Sequence, residues 1–165
     1  MAILGQGDVA APFTLFDLSG KSIALADVLT LYPVLVVFFR SDCALCQWAL
    51  PQLARYEWTF KGGDLEVWFV TPDHQEVALD TVDALRIRDI HVLLDPGSDV
   101  VDAFGVEQLP AAVFVGPDGN VIDSAEGWDP GGFTRIGKAL KKQLGWIRGP
   151  EFGAPWRGEP CPTTR

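Results

Sequence analysis

Cys43 and Cys46, in the run Cys43-Ala44-Leu45-Cys46, are the side chains of this 165-residue chain best suited to chemistry. They follow the apolar stretch Pro33-Val34-Leu35-Val36-Val37-Phe38-Phe39 and stand at the head of a helical pattern. Thiols at that spacing close a small disulfide ring and open it again. A helix N-terminus carries partial positive charge that favours the thiolate, the form that attacks a disulfide. The pair therefore reads as redox chemistry. Two blander readings stand beside it: idle thiols, and half of a zinc site. Tetrahedral zinc needs four ligands. Only Cys161, His74 and His91 remain as Cys or His donors, and none belongs to a second close pair.

The elements that must position the pair are legible on either side of it. Thr14 to Lys21 and Ser22 to Leu25 read as a short hairpin turning at Ser19-Gly20. Val34 to Phe39 is apolar throughout and rich in β-branched residues, which predicts a central strand covered on both faces. Cys43 to Phe60 places Leu45, Ala49, Leu50, Leu53 and Trp58 at helical spacing, with a kink expected at Pro51. Gly62-Gly63 ends that helix, and Leu65 to Val70 gives a second buried strand. A helix from His74 to Arg88 follows, with Asp73 as its cap. His91 to Leu94 forms a short strand and Ser98 to Phe104 a short helix. Ala111 to Val115 and Val121 to Ala125 flank the turn sequence Gly116-Pro117-Asp118-Gly119-Asn120. Gly132 to Leu144 closes the pattern as a last helix. The order predicts an α/β domain, a mixed sheet with helices on both faces, over residues 1–144. Residues 145–165 lose all periodicity and form an irregular tail rich in Gly, Pro and Trp, with Trp146, Phe152 and Trp156 as anchors.

Composition narrows the function classes. The chain is 48% hydrophobic and 21% charged, as a globular domain is, and its length suits one core rather than two. A net charge of −9 disfavours nucleic acid and anionic membrane as partners. No apolar run approaches the roughly 20 residues of a membrane-spanning helix. The segment from Met1 to Asp8 has neither the basic nor the apolar part of a signal peptide, so a cytoplasmic location is expected. Three cysteines do not make a disulfide scaffold.

Several short pieces now fall into one pattern. They are Ala11-Pro12-Phe13-Thr14-Leu15 with Leu18-Ser19-Gly20-Lys21, and Phe38-Phe39-Arg40-Ser41-Asp42-Cys43-Ala44-Leu45-Cys46-Gln47 with Pro51. Further on come Val106-Glu107-Gln108-Leu109-Pro110 and Pro117-Asp118-Gly119-Asn120. In this order and spacing, over about Gly5 to Leu144, the chain resembles the thioredoxin-fold superfamily. Within it, the match is to the redoxin branch of cytochrome-maturation-type thiol-disulfide oxidoreductases and peroxiredoxin-like proteins.

The resemblance implies a thioredoxin-like fold with an N-terminal hairpin extension. It implies Cys43 as the nucleophile, exposed at the helix start, and Cys46 as the more buried resolving thiol. Pro110 would be the cis-proline facing the disulfide, and Leu109 with Pro110 would offer backbone to an extended substrate strand. The expected activity is thiol-disulfide exchange with a disulfide-containing protein, with electrons from a dithiol donor and with neither metal nor organic cofactor.

Departures from the family pattern modulate that expectation. Asp42 stands where the family usually has Trp and opposes thiolate formation at Cys43, while Arg40 compensates. The buried acid of thioredoxins would fall at Val37, and Ala111 follows Pro110 in place of Thr. Together with the apolar Ala44-Leu45 pair, Asp42 suggests a reductant rather than a strong oxidant. Two alternatives remain open: a thiol peroxidase, whose hydroxyl neighbour is missing at the family's spacing, and a redox-sensitive binding module. Cys161 is expected to be an exposed spare thiol. The sharper alternative is that the tail folds back to join it to Cys43, or that it crosslinks a dimer. Trp48, Trp58 and Trp68 are assigned to packing, as is Trp128. His74 is expected at the surface of a helix start, and His91 in a structural role.

Overall fold

The chain enters its fold through an antiparallel hairpin, β1 (Thr14–Asp17) and β2 (Ser22–Ala24). The Asp17 carboxylate accepts the backbone N–H groups of Ser19 and Lys21 and the Ser19 hydroxyl, and Gly20 supplies the left-handed residue of the turn at φ +85°. A short helix α1 (Leu25–Leu29), which the sequence pattern does not announce, leads into β3 (Val34–Phe38). Every residue of β3 is buried, as its unbroken apolar run requires. The computed structural model describes residues 2–163; the start at Met1 and the last two tail residues lie outside the described residues.

The helix expected from Cys43 to Phe60 is two helices, α2 (Ala44–Leu53) and α3 (Arg55–Thr59), joined at Ala54. Pro51 lies in the last turn of α2, where it cannot donate the bond that would carry the ladder on unbroken. β4 (Glu66–Thr71) lies parallel to β3, and α2 and α3 form the crossover between them. The next helix, α4 (Gln75–Ala84), stops short of the expected Arg88. Arg86 turns left-handed at φ +54° and Ile87 goes into the core, so burial of Ile87 outweighs another turn of helix. His74, not Asp73, is the N-cap residue and is exposed.

β5 (His91–Leu94) adds a parallel neighbour to β4, and α5 (Asp99–Ala103) follows it. His91 pairs with Asp17 at 3.1 Å, tying β5 to the hairpin. Next come β6 (Gln108–Leu109), β7 (Ala111–Val115), β8 (Val121–Glu126) and α6 (Pro130–Leu144). Asp129 caps α6 by accepting the Gly132 N–H, and Pro130 begins it two residues before the expected start. The main sheet runs β2-β1-β5-β4-β3-β7-β8, parallel across β5-β4-β3 and antiparallel elsewhere, with helices flanking it. Trp68, Phe69, Phe38, Phe104 and Phe114 are among the large side chains of its core.

From Gly145 the chain turns back across α6. Trp146 packs on Phe60, and Gly149 and Pro150 cross the helix at Gly137. Phe152 fills a space between Tyr56, Trp128 and Phe133, and its backbone N–H is accepted by the Thr134 hydroxyl. Arg55 lies over the Phe152 ring at 5.0 Å and donates to the Glu151 carbonyl. Trp156 packs on Trp48, which also meets Trp128 edge-on. The segment ends in β9 (Cys161–Pro162), paired antiparallel with β6. Among the described residues no helix is long and apolar enough to cross a membrane.

Candidate functional site

β3 delivers the chain to the site, and the loop after it is held from three sides. The Asp73 carboxylate, at the end of the parallel strand β4, accepts the Ser41 N–H at 2.9 Å and the Thr71 hydroxyl. Gln47, one turn into α2, donates its side-chain amide to the Ser41 carbonyl at 2.8 Å. Arg40 Nε pairs with Asp42. Cys43 follows as the N-cap residue of α2, its carbonyl accepting the Gln47 N–H. Asp73 therefore acts on the loop before Cys43, not as the helix cap the sequence suggested.

Cys46 lies one turn behind, fully buried and free. Burial pushes its thiol up to about 12. Arg40 opposes that rise, while the carboxylates of Asp42 and Asp73 add to it. Cys43 is 8% exposed rather than open to solvent, because the tail covers it. It is disulfide-bonded to Cys161, 118 residues away in sequence, with Cα atoms 6.1 Å apart, inside the range a disulfide spans. Cys161 is 2% exposed. The expectation of an exposed spare thiol is corrected by the aromatic packing that brings the tail here. All three sulfur atoms lie within 4.8 Å of one another. As a donor set they are one ligand short of tetrahedral zinc, and two of them are bonded to each other.

The opposite wall is β6 and the cis bond between Leu109 and Pro110. Glu126 fixes this wall by accepting the N–H groups of Glu107 and Gln108 with one carboxylate oxygen. The register sets Leu109 against Cys161 and Gln108 against Pro162. Thr163 N–H extends the ladder to the Glu107 carbonyl. Arg40 completes the enclosure: its Nη1 donates to the Pro162 carbonyl at 2.9 Å and to that of Thr163 at 3.3 Å, and its Nη2 lies 3.5 Å from Cys161 Sγ. A cleft of about 390 Å³ opens beside the disulfide, between Asp42, Leu45, Trp156 and Pro160.

Six residues singled out in the sequence thus meet in one place: Arg40, Asp42, Cys43, Cys46, Leu109 and Pro110. Trp128 lies closer to this face than expected, through Trp48, which Trp156 also touches. Asp73, Gln47 and Glu126 were not found from sequence. Asp73 alone carried a signal, since it follows a buried strand whose parallel neighbour ends at the thiols.

A mixed sheet, a Cys-x-x-Cys pair at the head of α2 and a cis-proline before β7 define a thiol-disulfide oxidoreductase of the thioredoxin fold. Comparison with known proteins gives the same class. The chain belongs to the AhpC/TSA family, which its residues 6–124 match. It is similar to the thiol-disulfide oxidoreductase ResA of Bacillus subtilis (strain 168), 28% identical over 124 residues that make up 75% of this chain and 69% of that relative. The fold is shared with the thioredoxin domain of a thiol-disulfide oxidoreductase from Bacteroides vulgatus, at a TM-score of 0.70, 23% identity, and coverage of 86% of this chain and 99% of that one. It is shared equally with the peroxidoxin BcpB of Mycobacterium tuberculosis, at a TM-score of 0.67, 19% identity, and coverage of 88% and 99%.

Proposed function

We propose that the protein exchanges disulfides with protein substrates, using Cys43 as nucleophile and Cys46 as resolving thiol. The observation that carries this reading is the placement of Cys43 at the start of α2, bonded to a cysteine that pairs with Leu109 just before cis-Pro110, with Cys46 buried one turn behind. In the reduced protein the Cys43 thiolate attacks one sulfur of a substrate disulfide. The substrate S–S bond breaks, a mixed disulfide forms, and the departing substrate thiolate takes up a proton. Cys46 then loses its proton and attacks Cys43 Sγ. The second substrate thiol is released, and two electrons have passed from the protein to the substrate. A dithiol protein restores the starting state by the same steps in reverse.

An extended substrate would be held by adding a strand along Gln108 and Leu109, with backbone hydrogen bonds supplying affinity that does not depend on its sequence. Arg40 modulates the site, and its pairing with Asp42 offsets the carboxylate placed beside Cys43. Peroxide cleavage is the rival chemistry. It lacks support here because the residue three positions before Cys43 is Arg40, without a hydroxyl.

Reduction of a protein disulfide such as those of insulin tests the reading. Cys43→Ser should lower the rate by about a hundredfold or more, while the reduced wild-type protein consumes hydrogen peroxide far more slowly than it reduces the disulfide. Full activity in the Cys43→Ser variant would remove Cys43 from the role of nucleophile. Peroxide consumption as the dominant reaction would replace disulfide exchange.

A further inference from the structure

We propose that Cys161 is a third redox thiol of this site, and that the tail presents it as a tethered substrate, so that the oxidised protein rests with Cys43 joined to Cys161 and Cys46 free. The inference rests on the dithiol reading for the role of Cys46 and adds a partner built into the chain. Three independent features support it. The first is strand pairing. β9 occupies the edge of β6 immediately before cis-Pro110, where an extended substrate would lie, and places Cys161 directly opposite Leu109. The second is the clamp. Arg40 holds the carbonyls of Pro162 and Thr163 and sits beside Cys161 Sγ, where its positive charge favours a departing thiolate.

The third feature is the tether itself. Phe152 is buried and Trp156 is packed on Trp48, so the tail is fixed to the domain up to that point. Residues 157–160 beyond it are exposed and join the anchor to the thiol. A tethered thiol acts at an effective concentration of about millimolar or above. Once Cys43 carries a mixed disulfide with a substrate, Cys161 therefore competes with Cys46 to resolve it: the Cys161 thiolate attacks Cys43 Sγ, the Cys43–Cys161 bond forms, and the substrate sulfur leaves as a thiolate that takes up a proton.

The internal exchange conserves electrons. Cys46 gives up its proton and attacks Cys43 Sγ. The Cys43–Cys161 bond breaks as the Cys43–Cys46 bond forms, and Cys161 leaves as a thiolate that takes up a proton. One disulfide and one thiol are present before and after. The domain can then hold its disulfide either on the tail or within the Cys-x-x-Cys pair. Moving it to the pair removes the covalent tie of β9 to Cys43 and leaves β9 held on the β6 edge by its backbone pairing and the Arg40 clamp.

Mass mapping of the oxidised full-length protein, quenched in acid and alkylated, tests the proposal. The expected result is Cys43–Cys161 as the major linkage with Cys46 alkylated. Cys161→Ser should move the disulfide to Cys43–Cys46 and raise the initial rate of insulin reduction at least about threefold, because no tethered thiol then draws Cys43 into a tail-linked disulfide. Trp156→Ala keeps every thiol and loosens the tether, and it should lower the Cys43–Cys161 fraction by a similar factor. Oxidised wild-type protein carrying only Cys43–Cys46, with Cys161 alkylated as fast as an unfolded thiol, would overturn the proposal and leave the dithiol reading standing. A Cys161→Ser protein that is folded but inactive would sink the dithiol reading. The tail proposal would fall with it, even with the Cys43–Cys161 linkage in place, because Cys161 would then be the resolving thiol of the site rather than a tethered substrate.

Discussion

Burial of Cys46 behind the first turn of α2 makes its deprotonation the gate of the resolving steps that it performs. Its thiol is pushed up to about 12 by loss of water, with Asp42 and Asp73 adding to the rise and Arg40 opposing it. Only the thiolate attacks. Well below that value the thiolate fraction grows tenfold with each pH unit, so the rate should rise as pH rises. Conversion of Cys43–Cys161 to Cys43–Cys46 should accelerate by about tenfold per unit between roughly pH 7 and 9. Timed acid quenching followed by mass mapping measures it, and a rate that stays flat over that range would show that Cys46 is not the attacking group. The residues of the dithiol itself could be read directly from spacing. Of the charges around it, Arg40 and Asp42 could be read from the same run, but Asp73 could not, because it enters from β4, some thirty residues along the chain.

At the scale of elements, what the sequence reveals depends on whether burial leaves a local pattern. β3, β4 and β7 are covered on both faces and show unbroken apolar runs, and the β1–β2 hairpin shows its turn residues. β6 and β9 are two residues long, too short for any periodicity, and each exists only because the other is there. The long helix expected after Cys43 divides at Ala54 for a local reason, Pro51, whose effect was visible but whose position of break was not. The crossing of the tail over α6 belongs to the same class of non-local feature. A Cβ on Gly137 would stand 2.8 Å from the Pro150 carbonyl oxygen, so the crossing requires glycine there. Alanine is favoured over glycine inside a helix by about 1 kcal/mol. Gly137→Ala should therefore preserve α6 while displacing the tail backbone, and the Cys43–Cys161 fraction of the oxidised protein should fall. An unchanged fraction in the same mapping experiment would show that this crossing does not position Cys161.

At the scale of the whole molecule, the parallel arrangement of β3 and β4 gathers the chemistry. Both strands end on one side of the sheet, so Arg40 to Cys43 and Asp73 meet there although they are far apart in sequence, at the carboxyl ends of strands where open α/β sheets bind ligands. The tail then returns from the far end of α6 to the same side and covers the dithiol. Three thiols in one place have a practical consequence. A variant lacking Cys46 alone can still resolve a mixed disulfide through Cys161, so trapping requires both thiols to be removed. The most direct measurement is therefore to mix the reduced Cys46→Ser/Cys161→Ser protein with a protein disulfide and weigh the product. A mixed disulfide on Cys43 approaching one per chain, absent when Cys46→Ser alone is used, is the expected result. A folded double variant that accumulates no adduct would contradict the assignment of Cys43 as nucleophile, and with it disulfide exchange at this site.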